Sequence, residues 1–266
     1  MFDGGRLGND VEGEGRDRTD LGFPVPQQAL LEAVQAARGG AKLVLAINSA
    51  GGVDVDPSGL DAVVQLWYGG QETGHGLADV LWGRVNPSGR LPLTVHKSQY
   101  LKGVGPVSNL NMTFGEQGRT YRRLASQKED AWFSFGWGLS YSKFQYSDLK
   151  AGKTSVSVTV ENAGSVAGAE VAQLYLGLGS EGSALPAVKY ALAGFEKVML
   201  AAGAKATVTF PLEPEQLTVV GSDGMRKPAT GAVSVSVAGH LPTDPRATDG
   251  PDAKSASNAV AGSFSM

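Results

Sequence analysis

Two rhythms of apolar and polar residues divide the chain. Residues 26–40, PQQALLEAVQAARGG, set Leu30, Leu31, Val34 and Ala37 on one helical stripe behind Pro26 at a first helical position, and stop at Gly39 and Gly40. Residues 42–48, KLVLAIN, and 62–68, AVVQLWY, are short, nearly continuous apolar runs with the length of strands buried on both faces. The stretch between them, SAGGVDVDPSG, reads as a loop. QETGHGLADVLWG then places Leu77, Val80 and Leu81 at helical spacing before Gly83, and NPSGR turns into a further strand, LPLTV. Helix, strand, strand, helix and strand in this order predict an α/β layer with mostly parallel pairing. A strand would normally lead into such a layer, and MFDGGRLG is too short and too glycine-rich to be a good one.

From about Thr154 the period changes to two. SVSVTV sets Val156, Val158 and Val160 on one face, and EVAQLYL, KATVTF and AVSVSV repeat the alternation between turn signals. That pattern predicts a β-sandwich of immunoglobulin or fibronectin type III character. The fold class is therefore α/β, with an α/β sandwich domain over residues 1–100, a connecting segment over 101–143 and an all-β sandwich over 144–240. Residues 241–266, rich in Asp, Ala, Ser and Pro and poor in large apolar groups, read as a flexible tail.

Composition narrows the function classes. The 266 residues are 42% hydrophobic and 18% charged, the balance of a globular protein with real cores. A formal net charge of -3 supplies no basic face for nucleic acid or an anionic membrane, so neither is expected as a partner. The sequence contains neither an apolar run of roughly 20 residues nor a signal-peptide pattern at its start. Without cysteine there is no disulfide or thiolate nucleophile, and His75, His96 and His240 are too scattered for a metal-ligand spacing, so zinc chemistry is not expected. His75 reads as a surface or packing residue, and Asn111–Thr113 is a formal glycosylation acceptor, meaningful only in a secreted protein.

Four stretches taken together carry a resemblance: VEGEGRDRTDL, LWYGGQETGHGLADVLWGRVNPSGRLPLT, GRTYR and FGWGLSYSKF. In this order they resemble glycoside hydrolase family 3, and within it the β-xylosidase and α-arabinofuranosidase branch. LAGFEKVML to VSVAG resembles the family's closing fibronectin-like domain, so the likeness covers roughly residues 5–240. The resemblance implies an N-terminal (β/α)8 barrel supplying an aspartate nucleophile, an α/β sandwich lending the acid/base glutamate on a loop, and the fibronectin-like domain. Only the last two parts fit here, because a barrel of about 250 residues has no room ahead of Glu12. The family departs from this chain at Gly69, where proline is usual.

Retaining glycoside hydrolysis places two carboxyl groups ~5 Å apart on opposite sides of the scissile bond. Glu12 and Glu14 are two residues apart, so in an extended segment they point to the same side at roughly 7 Å and cannot flank a sugar. One of them can supply half of a split site; by the family motif Glu12 is the acid/base candidate and Glu14 the second choice. Asp17 and Arg18 match the family's Asp-Arg pair, a structural brace suited to the arginine fork. Arg119 and Tyr121 of GRTYR resemble a stretch near the domain junction and cleft, which makes them candidate substrate-binding residues, with interdomain hydrogen bonding an equal alternative. Trp67, Trp82 and Trp137 have faces that can stack on sugars, Trp67 being the substrate-binding candidate, although aromatics beside glycine turns more often anchor cores.

The family reading implies exo-hydrolysis of β-linked xylose or related pentoses from oligosaccharides, outside the cell or in its wall, without a cofactor. This chain alone is expected to be inactive for want of the nucleophile. The alternative is a non-catalytic carbohydrate-binding or interaction protein. A bare sheet edge and the missing barrel face also lead us to expect a homodimer or a barrel domain as partner, beside an oligosaccharide ligand.

Overall fold

The computed structural model describes residues 2–3, 18, 20–104, 110–112, 118–124, 127–179, 183–184, 188–248 and 256–266. Its first part is a three-stranded parallel sheet in the order β1-β2-β3, built from β1 (Phe2–Asp3), β2 (Val44–Asn48) and β3 (Ala62–Gln65). The leading strand doubted above thus exists, as two residues paired with Ile47 and Asn48. So short a strand leaves no alternation to read.

Helix α1 spans Val25–Ala37 and covers one face of this sheet. Pro26 sits in its first turn, where a missing N–H costs nothing, and Gly39 just beyond its end takes φ +55. Leu31, Leu45, Ile47, Val53 and Val55 form the core here, closed by Phe23. Full burial of side chains of this size contributes about 1.5–3 kcal/mol each. The stripe expected from the sequence is rotated, because Gln27 and Leu31 face inward while Leu30 is 55% and Val34 39% exposed. The sheet is also not buried on both faces as expected: Val44 is 40% exposed and every residue of β3 keeps partial exposure.

β3 stops earlier than its apolar run. Leu66 still donates its N–H to the Ile47 carbonyl, but Trp67 has φ +55, a left-handed value that cannot continue an extended strand. A 3-10 turn, Gly70–Glu72, leads into α2 (Thr73–Leu81), whose Leu81 and following Trp82 are 40% and 73% exposed. The strand predicted at LPLTV shrinks to β4 (Val95–His96), antiparallel to β5 (Ala131–Phe133). Pro92 has no N–H for a ladder, which accounts for the late start. Between them come three short helices, α3 (Leu101–Val104), α4 (Thr120–Arg123) and α5 (Gln127–Asp130).

The second part is the predicted sandwich. One antiparallel sheet has the order β10-β7-β6 and the other β14-β13-β8-β9. The strands are β6 (Phe144–Ala151), β7 (Ser155–Asn162), β8 (Gly168–Leu178), β9 (Val188–Leu200), β10 (Lys205–Pro211), β13 (Ala232–Ala238) and β14 (Val260–Ser265), with β11 (Thr218–Val220) and β12 (Arg226–Pro228) as a separate pair. Val156, Val158 and Val160 are fully buried and meet Leu174, Val233, Val235 and Val237 across the core. Period-two alternation has placed them there.

The flexible tail expected over 241–266 is corrected for its described residues. Leu241 and Asp244 are buried, α6 (Pro245–Thr248) follows, and β14 pairs with β13 over its whole length. Its burial alternates weakly because it is an edge strand held by backbone bonds, for which a polar composition suffices.

The connecting segment docks on the outer face of β8. Gln173 Nε2 donates to the carbonyls of Gly136 and Gly239, each at 3.0 Å, and Tyr175 donates its hydroxyl to Gln173 Oε1 at 2.6 Å. Gly136 has φ +79, and a Cβ there would strike Gln173 Oε1, so only glycine lets the backbone approach this closely. Arg90, from the turn ahead of LPLTV, reaches Glu170 of β8 at 2.5 Å, while Tyr146 donates its hydroxyl to the other carboxylate oxygen at 2.8 Å.

Candidate functional site

The carboxyl end of a parallel sheet is where loops converge and where open α/β folds bind ligands. Here that end carries Asp3, Asn48, Gln65 and Trp67. Ser49, directly after β2, is fully buried, donates to the Gly51 carbonyl at 2.7 Å, and accepts from Gln65 Nε2 at 3.1 Å. Among the described residues Asn48 Oδ1 is buried without a hydrogen bond. The site therefore has a preset polar floor.

Glu12, Glu14 and Asp17 lie outside the described residues. The two ends of their segment are nevertheless fixed: β1 ends at Asp3 opposite Asn48, and Arg18 donates to the Gly52 carbonyl at 2.9 Å. Both anchors are on the β2 end and its following loop. Arg18, expected as the partner of Asp17, makes this bond to a backbone carbonyl.

Asp54 ties this loop to the rest of the domain, and sequence reasoning passed over it. Its N–H donates to the Leu21 carbonyl at 2.7 Å, its Oδ1 accepts the Trp132 indole N–H at 2.5 Å, and its Oδ2 accepts the Ser98 N–H at 2.8 Å. The signal was the alternation of GGVDVD: Val53 and Val55 are buried at 2% and 4%, which turns Asp54 to the opposite side. With both oxygens occupied, Asp54 acts as a brace. Asp54→Asn replaces one acceptor by an NH2 group facing a donor, and should cost about 1–3 kcal/mol in urea denaturation. Trp132 fluorescence, followed in parallel, should change as its partner is lost.

The substrate-binding candidates divide. Trp67 stands at the carboxyl end of β3, half-buried and in the left-handed conformation, with Tyr68 beside it 59% exposed. Arg119 donates its backbone N–H to the Met112 carbonyl at 2.9 Å and its guanidinium to the Val104 carbonyl at 2.8 Å, both within the connecting segment. Tyr121 stacks on Phe135 at 4.1 Å, lies edge-on to Tyr175 at 6.4 Å, and its hydroxyl accepts the Leu192 N–H at 3.0 Å. Tyr121 is thus taken up by the sandwich, in line with the interdomain alternative. Trp82 is exposed and Trp137 is 4% exposed against His240. Of the histidines, His75 is on the surface, paired with Glu72 at 2.8 Å.

The sheet end thus joins the Ser49–Gln65 polar floor to an aromatic, Trp67, held in a left-handed conformation. No described group of His, Asp or Glu residues could hold a metal ion.

Comparison with known proteins fits this architecture. The Glycosyl hydrolase family 3 C-terminal domain matches residues 6–141, and the Fibronectin type III-like domain matches residues 170–240. Thermostable beta-glucosidase B of Acetivibrio thermocellus is 37% identical over 223 residues, covering 78% of this chain and 29% of that protein. Xylan 1,4-beta-xylosidase of Xylanibacter ruminicola is 34% identical over 227 residues, covering 81% of this chain and 24% of that protein. The crystal structure of beta-D-glucoside glucohydrolase from Trichoderma reesei superposes with a TM-score of 0.77 at 27% identity, over 95% of this chain and 37% of that one. The chain spans less than a third of the length of these two curated relatives. β-Glucosidases stand beside the xylosidase among the relatives, so the likeness extends beyond the branch suggested by the motifs. The chain belongs to glycoside hydrolase family 3, of which it carries the C-terminal α/β domain followed by the fibronectin type III-like domain.

Proposed function

We propose that this chain is the acid/base-bearing half of a retaining β-glycosidase, with Glu12 as the acid/base and the nucleophile supplied by a barrel domain. The observation that carries the reading is the anchoring of the glutamate segment, by Asp3 opposite Asn48 and by Arg18 on Gly52, at the carboxyl end of the parallel sheet. An acid/base needs a carboxyl group brought close to a second domain and partly desolvated there. The substrate class is a β-linked glucoside, as the name of the Acetivibrio relative suggests, with β-xylosides the second reading, favoured by the Xylanibacter relative.

Purified and alone, the chain should give no turnover of aryl β-glucosides or aryl β-xylosides above the buffer rate. Ordinary turnover by the isolated chain would overturn the split-site reading. The competing reading is a carbohydrate-binding module. Calorimetric binding of gluco- or xylo-oligosaccharides without hydrolysis, weakened by Trp67→Ala or Arg119→Ala, would favour it.

A further inference from the structure

His240 follows β13 and is only 4% exposed. Its Nδ1 lies 2.9 Å from the Leu241 carbonyl oxygen and its Nε2 lies 2.9 Å from the Ser257 carbonyl oxygen. Carbonyl oxygens only accept, and a neutral imidazole has a single N–H. A neutral ring would therefore aim a nitrogen lone pair at one of these oxygens in a buried site, where an unmet or repulsive polar contact is costly. Both contacts are attractive only when both nitrogens carry protons.

We propose that His240 is a pH-responsive latch whose doubly protonated ring fastens the C-terminal segment, residues 256–266, onto the end of β13, and whose loss of one proton loosens that segment. Ser257 is the point where the segment meets the sandwich. The Gly239 N–H donates to Ser257 Oγ at 3.2 Å, and Asn258 exchanges two hydrogen bonds with the backbone of Tyr146, at 2.8 and 2.9 Å. β14 then begins at Val260. The ring thus acts at the entry to the strand, beside the Ser257 and Asn258 bonds that dock it.

The charged groups around the ring come from several elements. Asp244, from the turn after His240, is fully buried; burial pushes its carboxyl above the usual range, opposed by the Arg246 N–H and by the attraction of His240. Arg246 itself lies over the Phe133 ring at 4.6 Å. Arg90 and Glu170 line the same small polar cleft and are paired with each other, so they add little net charge there. Trp137 closes the remaining side at 6.3 Å.

The test reads the ring and the strand together in the full chain. Ring nitrogen and carbon NMR shifts of His240 are followed from about pH 5 to 9, the span in which histidine changes charge. Amide-exchange protection factors of Val260–Ser265 are followed in the same samples. The expected result is an imidazolium wherever the segment is most protected, and a roughly tenfold or greater fall in protection as the ring loses a proton, since hydrogen bonds from charged groups are the stronger ones. In His240→Phe that pH dependence should vanish. A ring carrying a single proton while the segment is fully protected would overturn the proposal, as would an unchanged pH dependence in His240→Phe. Should that variant fail to fold, the paired titration of the unaltered protein decides alone.

Discussion

Glu170→Ala lowers the unfolding free energy by roughly 3–5 kcal/mol, the scale for removing one partner of a buried ion pair. The side chain of Glu170 is 1% exposed and that of Arg90 11% exposed, so neither charge has water to fall back on. Alanine takes the carboxylate from the Arg90 guanidinium, which keeps its bond to the Gly138 carbonyl, removes the acceptor of the Tyr146 hydroxyl, and opens a hole between the two domains. Urea denaturation followed by tryptophan fluorescence and by far-UV circular dichroism should show the lower midpoint. The two probes should also separate, because Arg90 and Glu170 form a charged contact between the first domain and β8. Replacing both by apolar residues of similar volume should recover much of the loss. A single variant within about 1 kcal/mol of the parent would mean that the pair is far better hydrated than its burial indicates.

Glu12→Gln should be the most damaging substitution for catalysis. When the chain is combined with the barrel domain of a family relative and turns over an aryl β-glycoside, the glutamine variant should lose about 100- to 10,000-fold, the usual worth of a general acid/base. Its signature should be rescue by azide, which attacks the glycosyl intermediate without needing a base to take its proton, and a glycosyl azide should accumulate. Glu14→Gln, at the second-choice position, should lose less than about tenfold. The reverse ranking of the two glutamates would move the acid/base role to Glu14.

Legibility from sequence followed the kind of force involved. Val156, Val158 and Val160 were placed correctly because half-buried strands write their burial into every second residue. The phase of α1 was missed because Leu30, Leu31 and Val34 fit more than one helical stripe, and which one turns inward depends on the strands beneath; Gln27 ends up buried beside Leu31. β14 was missed because an edge strand needs only its backbone to pair, which no side-chain pattern records. The glycine-flanked glutamates were visible as a motif, though they lie outside the described residues. Asp54 was not, because its partners Ser98, Trp132 and Leu21 come from three separate stretches of chain and only the folded loop brings them together.

The strand order β14-β13-β8-β9 also bears on when the sandwich can form during synthesis. β7 can pair with β6 as soon as the two have emerged, since they are joined by a short turn. β8 gains β9 next, but its other side stays open until β13 arrives, after β10, β11 and β12 have been made. Closing that long loop is the slow step of such a topology. The half-finished sheet therefore exposes the ladder edge of β8, and with it Leu174 and Leu176, for as long as the ribosome takes to reach Ala238.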